Sequence, residues 1–138
     1  MRFIANMTAY LLRYCTIRGS IATKGELMGL YNTLVADILC PGCSSTITVE
    51  AQFKYGNVRE MRIYAVGESL NWGLIQYGKP GAKRVVVSAE LDPCPSCHRE
   101  LEDYVVVIVQ DRIEGLVGPT QAYDFAGQNA YFLVLEAE

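Results

Sequence analysis

The chain has 138 residues, of which 51% are hydrophobic, and it carries a formal net charge of −3. This length suits one domain with a real hydrophobic core, and no stretch approaches the roughly 20 apolar residues of a membrane-spanning helix. The charge is uneven: residues 1–27 hold four basic residues and one acidic residue, whereas residues 28–138 hold eight basic and fourteen acidic residues. An acidic body repels phosphate backbones, which disfavours nucleic-acid binding outside a local basic patch.

The first 27 residues differ in pattern from the rest and allow two interpretations. Apolar residues recur at helical spacing between Phe3 and Tyr14, which indicates a short amphipathic helix ending near Gly19. Alternatively, Met28 is the native start and residues 1–27 are translated upstream sequence, because residues 24–26 (KGE) can be encoded by a bacterial ribosome-binding sequence. No secretory signal is expected, since polar residues interrupt its apolar core and no cleavage site follows. We therefore expect a cytoplasmic protein.

From residue 28 to residue 138 the pattern predicts a mostly β domain. Residues 34–39 (LVADIL) form a strand that ends at the first cysteine. Residues 46–55 (TITVEAQFKY) alternate between apolar and polar side chains, which is typical of a half-buried antiparallel strand. Gly56 and Asn57 then give a two-residue hairpin signal, so residues 58–66 (VREMRIYAV) are expected to return as the antiparallel partner.

The second half of this domain continues the antiparallel pattern. Residues 67–81 predict a loop in which Trp72 covers one end of the core. A strand at residues 84–91 (RVVVSAEL) leads into the second cysteine pair. Residues 103–110 (DYVVVIVQ) are apolar on both faces, which predicts a central strand. A turn with a short strand at 111–120 and a last strand at 130–135 (AYFLVL) complete the sheet.

Two matching turns contain four of the five cysteines. Cys40 and Cys43 enclose Pro-Gly, and Cys94 and Cys97 enclose Pro-Ser. A C-P-x-C turn presents two sulfurs on one side of a tight loop, aims backbone N–H groups at them, and has its φ preset by proline. Zinc prefers a tetrahedron of such thiolates. The four cysteines are therefore the predicted ligands of one structural zinc ion, and the fold is predicted to be a zinc ribbon with two cysteine knuckles.

Three alternatives to zinc stay open. The 50 residues between the pairs exceed the roughly 15–20 of simple zinc ribbons, although they hold a complete hairpin and loop. A redox dithiol of the CPGC type sits at the start of a helix, whereas a strand pattern follows Cys43. Disulfides need an oxidising compartment, and no export signal is visible. Iron fits the same four-sulfur cage. These arguments favour zinc, in a closed site that is structural and not catalytic.

The remaining candidate residues point away from catalysis. Cys15 is predicted to be a small buried apolar residue and not a fifth ligand. His98 directly follows Cys97, where it would be a strained ligand, so it is predicted to neighbour the site or to be exposed. The chain has one histidine and no serine motif of the nucleophile-elbow type, so it offers few residues for acid–base catalysis. We predict that the protein is not an enzyme.

From Met28 the chain resembles a set of small, largely uncharacterised bacterial and phage zinc-ribbon proteins. The resemblance rests on MGLYNTL, CPGC, FKYG, VGESLNWG and CPSC, and it covers most of residues 28–110. It implies a structural zinc site at the same four cysteines, and it carries no established activity. Ser44 departs from the glycine that often follows such a turn, so a slightly different backbone is expected there.

These observations predict a zinc-stabilised protein-interaction domain. Its small size and acidic charge suit an immunity protein for a bacterial toxin or a phage factor that acts on its host. The alternative is a nucleic-acid-binding zinc ribbon, for which the basic candidates are Arg59, Arg62, Lys83 and Arg84. A protein partner is preferred, because exposed lysines and arginines are common on any surface.

Overall fold

The computed structural model describes residues 29–74, 76–125 and 131–136. The helix predicted near the N-terminus, the hypothesis on Met28 and the interpretation of Cys15 lie outside the described residues. The described part contains seven strands and one 3-10 helix (Val58–Glu60), and no helix long and apolar enough to cross a membrane. In chain order the strands are β1 (Asn32–Leu39), β2 (Thr46–Phe53), β3 (Ile63–Ala65), β4 (Arg84–Glu90), β5 (Tyr104–Val109), β6 (Arg112–Val117) and β7 (Phe132–Glu136).

The seven strands form one sheet, in which antiparallel pairs dominate as predicted. The path through the sheet is β3-β1-β2-β4-β5-β6, and β7 pairs with β4 in addition. The pair β1/β3 is parallel, and every other described pair is antiparallel. The backbone N–H of Gly67 donates to Ile113 (2.8 Å), and that of Ile113 donates to Glu68 (2.9 Å). The chain just after β3 therefore pairs with β6, and the sheet closes on itself.

The alternating pattern of β2 and the uniformly apolar pattern of β5 both correspond to strands, as predicted. β2 buries Ile47, Val49, Ala51 and Phe53 and turns the residues between them outward. β5 lies between β4 and β6 and buries four of its six residues, which confirms its prediction as a central strand. Because β-branched residues fit a pleated surface that is buried on both faces, the valine-rich β4 and β5 form the interior of the sheet.

The hairpin predicted at Gly56 is wrong. The Gly56 N–H donates to the Tyr77 carbonyl (2.8 Å) and not to a residue across a tight turn. The Asn57 side chain accepts from the Arg59 N–H (3.2 Å) and so caps the 3-10 helix. β3 then pairs in parallel with β1, although residues 58–66 were expected to pair with β2. The buried Asn32 holds this arrangement, because its Oδ1 accepts from Arg62 N–H (3.0 Å) and its Nδ2 donates to the Tyr55 carbonyl (2.8 Å).

The predicted loop at residues 67–81 packs its tryptophan against the core. The Trp72 ring meets the fully buried Tyr55 ring edge-on at 5.2 Å, and Phe132 of β7 meets Tyr55 at 5.1 Å. The Tyr55 hydroxyl donates to the Lys79 carbonyl (2.9 Å), which joins the loop to β2. Tyr55 is thus the centre of this end of the core.

The close approach of Gly78 to Tyr55 gives a first prediction. A Cβ at Gly78 would lie 2.4 Å from Tyr55 Cε1, and its φ of +131° already disfavours any other residue. Gly78→Ala should lower the free energy of unfolding by about 3 kcal/mol, since it adds overpacking of a fixed ring to backbone strain. Gly67→Ala is the control, because Gly67 has φ +97° but nothing within 4 Å, and it should cost only about 1 kcal/mol. Urea denaturation measures both, and equal losses would contradict the role of Tyr55.

Candidate metal centre

The topology explains how cysteines 50 residues apart come together. β2 is antiparallel to both β1 and β4, so β1 and β4 run in the same direction. β1 leads directly into Cys40, and residues 91–93 carry the chain from β4 to Cys94. Two strands of the same direction thus deliver their turns to the same end of the sheet. The structure brings together the four cysteines that the sequence singled out, with all four sulfurs within 4.8 Å of one another.

Three backbone hydrogen bonds shape the first turn. The N–H of Cys40 donates to the Ser45 carbonyl (2.9 Å), and the N–H of Ser44 donates to the Cys40 carbonyl (2.9 Å). The N–H of Gly42 points at Cys40 Sγ (3.3 Å). This last contact places a backbone donor against a candidate ligand sulfur and helps to fix its direction.

The second turn repeats this pattern residue by residue. The N–H of Cys94 donates to the Arg99 carbonyl (2.9 Å), and the N–H of His98 donates to the Cys94 carbonyl (2.8 Å). The N–H of Ser96 points at Cys94 Sγ (3.3 Å). The buried sulfur of each turn therefore receives the same backbone donor.

Both turns end in a left-handed residue that is not glycine. Ser44 has φ 62° and His98 has φ 64°, a conformation that costs an L-residue about 1–2 kcal/mol. Ser44 thus has a positive φ, which glycine adopts at lower cost. The His98 side chain is exposed and does not belong to the cysteine cluster.

The sulfur spacing fits a tetrahedral metal site. Cys40 Sγ lies 3.7 Å from Cys97 Sγ, and Cys43 Sγ lies 3.8 Å from Cys94 Sγ. A tetrahedron with metal–sulfur bonds of about 2.3 Å has edges of about 3.8 Å, whereas a disulfide needs about 2.05 Å. All four are free thiols, with Cys40 and Cys94 buried and Cys43 and Cys97 exposed. The cluster can therefore hold a metal ion.

The pKa values of the two exposed thiols, Cys43 and Cys97, shift in opposite directions. Hydrogen bonds with the Ser45 side chain and backbone lower the pKa of Cys43 to about 6. For Cys97, the Arg99 backbone lowers the pKa, but desolvation and the neighbouring thiols outweigh it and raise the pKa to about 11. Thiolates this close repel one another, so a central cation is what allows all four to ionise together.

Gly42 is a site residue that the sequence interpretation missed. A Cβ at Gly42 would lie 2.7 Å from Arg99 Cδ and 3.3 Å from Cys97 Sγ, so the second turn packs directly on the first. Ser96 occupies the equivalent position of the second turn and is exposed. The sequence distinguishes the two turns only by Pro-Gly in one and Pro-Ser in the other. This difference indicates a role for Gly42 only when it is known that the turns touch.

The basic residues considered for nucleic-acid binding fall into two separate groups. Arg59 and Arg62 lie beside β3, and Arg62 forms a salt bridge with Glu60 (3.4 Å). Lys83 and Arg84 lie at the start of β4. β1 and β2 separate β3 from β4 along the sheet path.

Comparisons with protein-family models, with curated proteins and with solved structures found no match.

The contact between the turns gives a second prediction. Gly42→Ala should weaken metal binding by about tenfold, since its methyl group would press on a ligand sulfur and on the Arg99 side chain. Arg99 can move aside, but Cys97 cannot move without changing the site. Ser96→Ala, which keeps the backbone donor to Cys94, should leave the affinity unchanged. Competition with a coloured chelator measures both affinities, and an unchanged Gly42→Ala variant would show that the turns do not touch in this way.

Proposed function

We propose that this protein is a non-enzymatic, zinc-stabilised domain that binds another protein in the cytoplasm. The observation that carries the metal assignment is the tetrahedral spacing of four free sulfurs on two matching turns. Zinc is preferred to iron because closed four-cysteine sites at the ends of strands are typical of structural zinc. Such a site leaves no open coordination position for a substrate, so its role is to hold the fold. Free thiols in this number also suit a reducing compartment.

Surface composition supports a protein as the partner. Several large apolar side chains are exposed, among them Leu74 (98%), Ile63 (73%) and Leu39 (64%). Exposed apolar side chains that form a contiguous patch are typical of surfaces that bind other proteins. The excess of acidic residues between positions 28 and 138 favours a basic partner surface. A role as an immunity protein or as a phage factor acting on its host suits this small acidic domain, and the cognate partner would then be a toxin or a host protein.

Nucleic-acid binding remains the alternative hypothesis. The separation of Arg59 and Arg62 from Lys83 and Arg84 along the sheet path does not favour it, because phosphate binding depends on basic groups that act together.

A third prediction concerns metal content and stability. The purified protein should contain about one zinc per chain, and a chelator should lower its melting temperature sharply, because metal binding and folding are coupled. Cys43→Ser should lose the metal, whereas Cys15→Ser, which changes the cysteine that precedes the described residues, should keep it. Elemental mass spectrometry and thermal melting measure these effects. A metal-free protein that stays folded, or one that holds iron, would refute the zinc assignment.

A fourth prediction concerns the partner. A protein captured by this chain from its native host should, once purified, form a complex of fixed stoichiometry with the metal-loaded form in calorimetry. The same preparation should give no mobility shift with DNA or RNA at low salt. A salt-sensitive shift that is lost when Arg59 and Arg62 are changed to alanine would replace the proposal by the nucleic-acid alternative.

A further inference from the structure

A cavity of about 630 Å³ opens where β4 changes its neighbour. β7 pairs with β4 from Arg84 to Val87, and β2 pairs with the same edge only at Ala89 and Glu90. β7 and β2 thus occupy the same edge of β4, one after the other. The chain that leaves the second cysteine turn borders the gap between them. The cavity is lined by the ends of β2 and β4, by residues 100–103, and by Tyr31 and Tyr131.

One wall of this cavity is aromatic and poorly hydrated. Phe53 is buried, and the half-buried rings of Tyr31 and Tyr131 flank the ammonium group of Lys54 at 5.9 and 5.7 Å. Lys54 also donates to the Leu30 carbonyl. Desolvation lowers the pKa of Lys54 to about 8, although the charge of Glu90 opposes this shift. The tyrosine rings therefore already contact a cation in a partly dry environment.

The other charged residues of the lining are acidic. Glu90, Glu100, Glu102 and Asp103 line the cavity together with Lys54, which leaves an excess of three negative charges. All four acidic side chains are exposed. No hydrogen bond or salt bridge joins Glu100 or Glu102 to another residue of the described part of the chain. This volume lies within the range of binding sites, about 300–1,000 Å³.

We propose that this cavity, the acidic pocket, receives an arginine side chain from the protein partner. Carboxylates match the bidentate geometry of a guanidinium group, and the aromatic wall, whose rings flank Lys54, adds apolar surface beside them. An anionic ligand would be repelled by the excess charge, and a neutral apolar ligand would desolvate the carboxylates without compensation. The proposal rests on the proposed function, since it names the surface by which the partner binds.

The test uses a short probe and the metal-loaded, full-length chain. We expect the capped peptide acetyl-Gly-Arg-Gly-amide to shift the backbone amide signals of Leu91 and Leu101 in two-dimensional NMR, with a dissociation constant on the order of 1 mM. The same peptide with citrulline, which is neutral but similar in shape, should cause no saturable shift. N-acetylarginine amide, which carries the same single charge as the peptide, separates recognition of the side chain from recognition of a peptide, and it should bind more weakly than the peptide.

Two variants of the chain, one inside and one outside the pocket, test where the peptide binds. The double variant E100Q/E102Q should weaken peptide binding at least about threefold, because it removes two carboxylates without changing their shape. Glu114→Gln, an exposed residue of β6 outside the pocket, should leave it unchanged. Equal shifts with citrulline, equal weakening by both variants, or tighter binding of N-acetylarginine amide than of the peptide would overturn the proposal. A captured partner that binds E100Q/E102Q as well as the unchanged chain would also overturn it, and the proposed protein-binding function would stand.

Discussion

Two turns separated by 50 residues come into sulfur contact because β2 is antiparallel to both strands that carry them. Bringing such distant turns together costs chain entropy, and four crowded thiolates add electrostatic repulsion. A metal ion bound there would offset both, since zinc binding in small peptides contributes on the order of 10–16 kcal/mol. The hydrogen bonds within each turn shape a pair of candidate ligands, and the cluster of four sulfurs brings the turns that follow β1 and β4 together. The direction of the strands and the metal site therefore depend on each other.

Local patterns predicted most of this fold from the sequence. The alternation in TITVEAQF places Ile47, Val49 and Ala51 inward, and the runs RVVVSAE and YVVVIV form interior strands, because side-chain periodicity and β-branching act within a single strand. The cysteine turns were equally visible, since each is complete within six residues and its geometry is set by its own backbone bonds. Features that a few consecutive residues determine can be predicted from those residues.

The features that the sequence did not predict depend on distant contacts. The parallel pairing of β3 requires Asn32 to accept from Arg62, which lies 30 residues away, and no local pattern encodes this bond. The Gly56-Asn57 pair looked like a hairpin because its composition suits one, yet its partner is Tyr77. Gly42 matters only because Arg99 and Cys97 lie against it. The acidic pocket likewise combines residues from five separate parts of the chain.

The residues that leave the second cysteine turn connect the metal site to the acidic pocket. The Arg99 carbonyl accepts from Cys94 N–H, and its side chain packs on Gly42 of the first turn. Leu101 is buried in the core, so the flanking Glu100 and Glu102 are held at the surface, where they line the pocket. If a metal ion joins the two turns as proposed, its removal would take away one of the contacts that hold this acidic wall in place. A partner that needs the pocket would therefore bind the metal-loaded form more tightly and, by linkage, would stabilise the bound metal in turn.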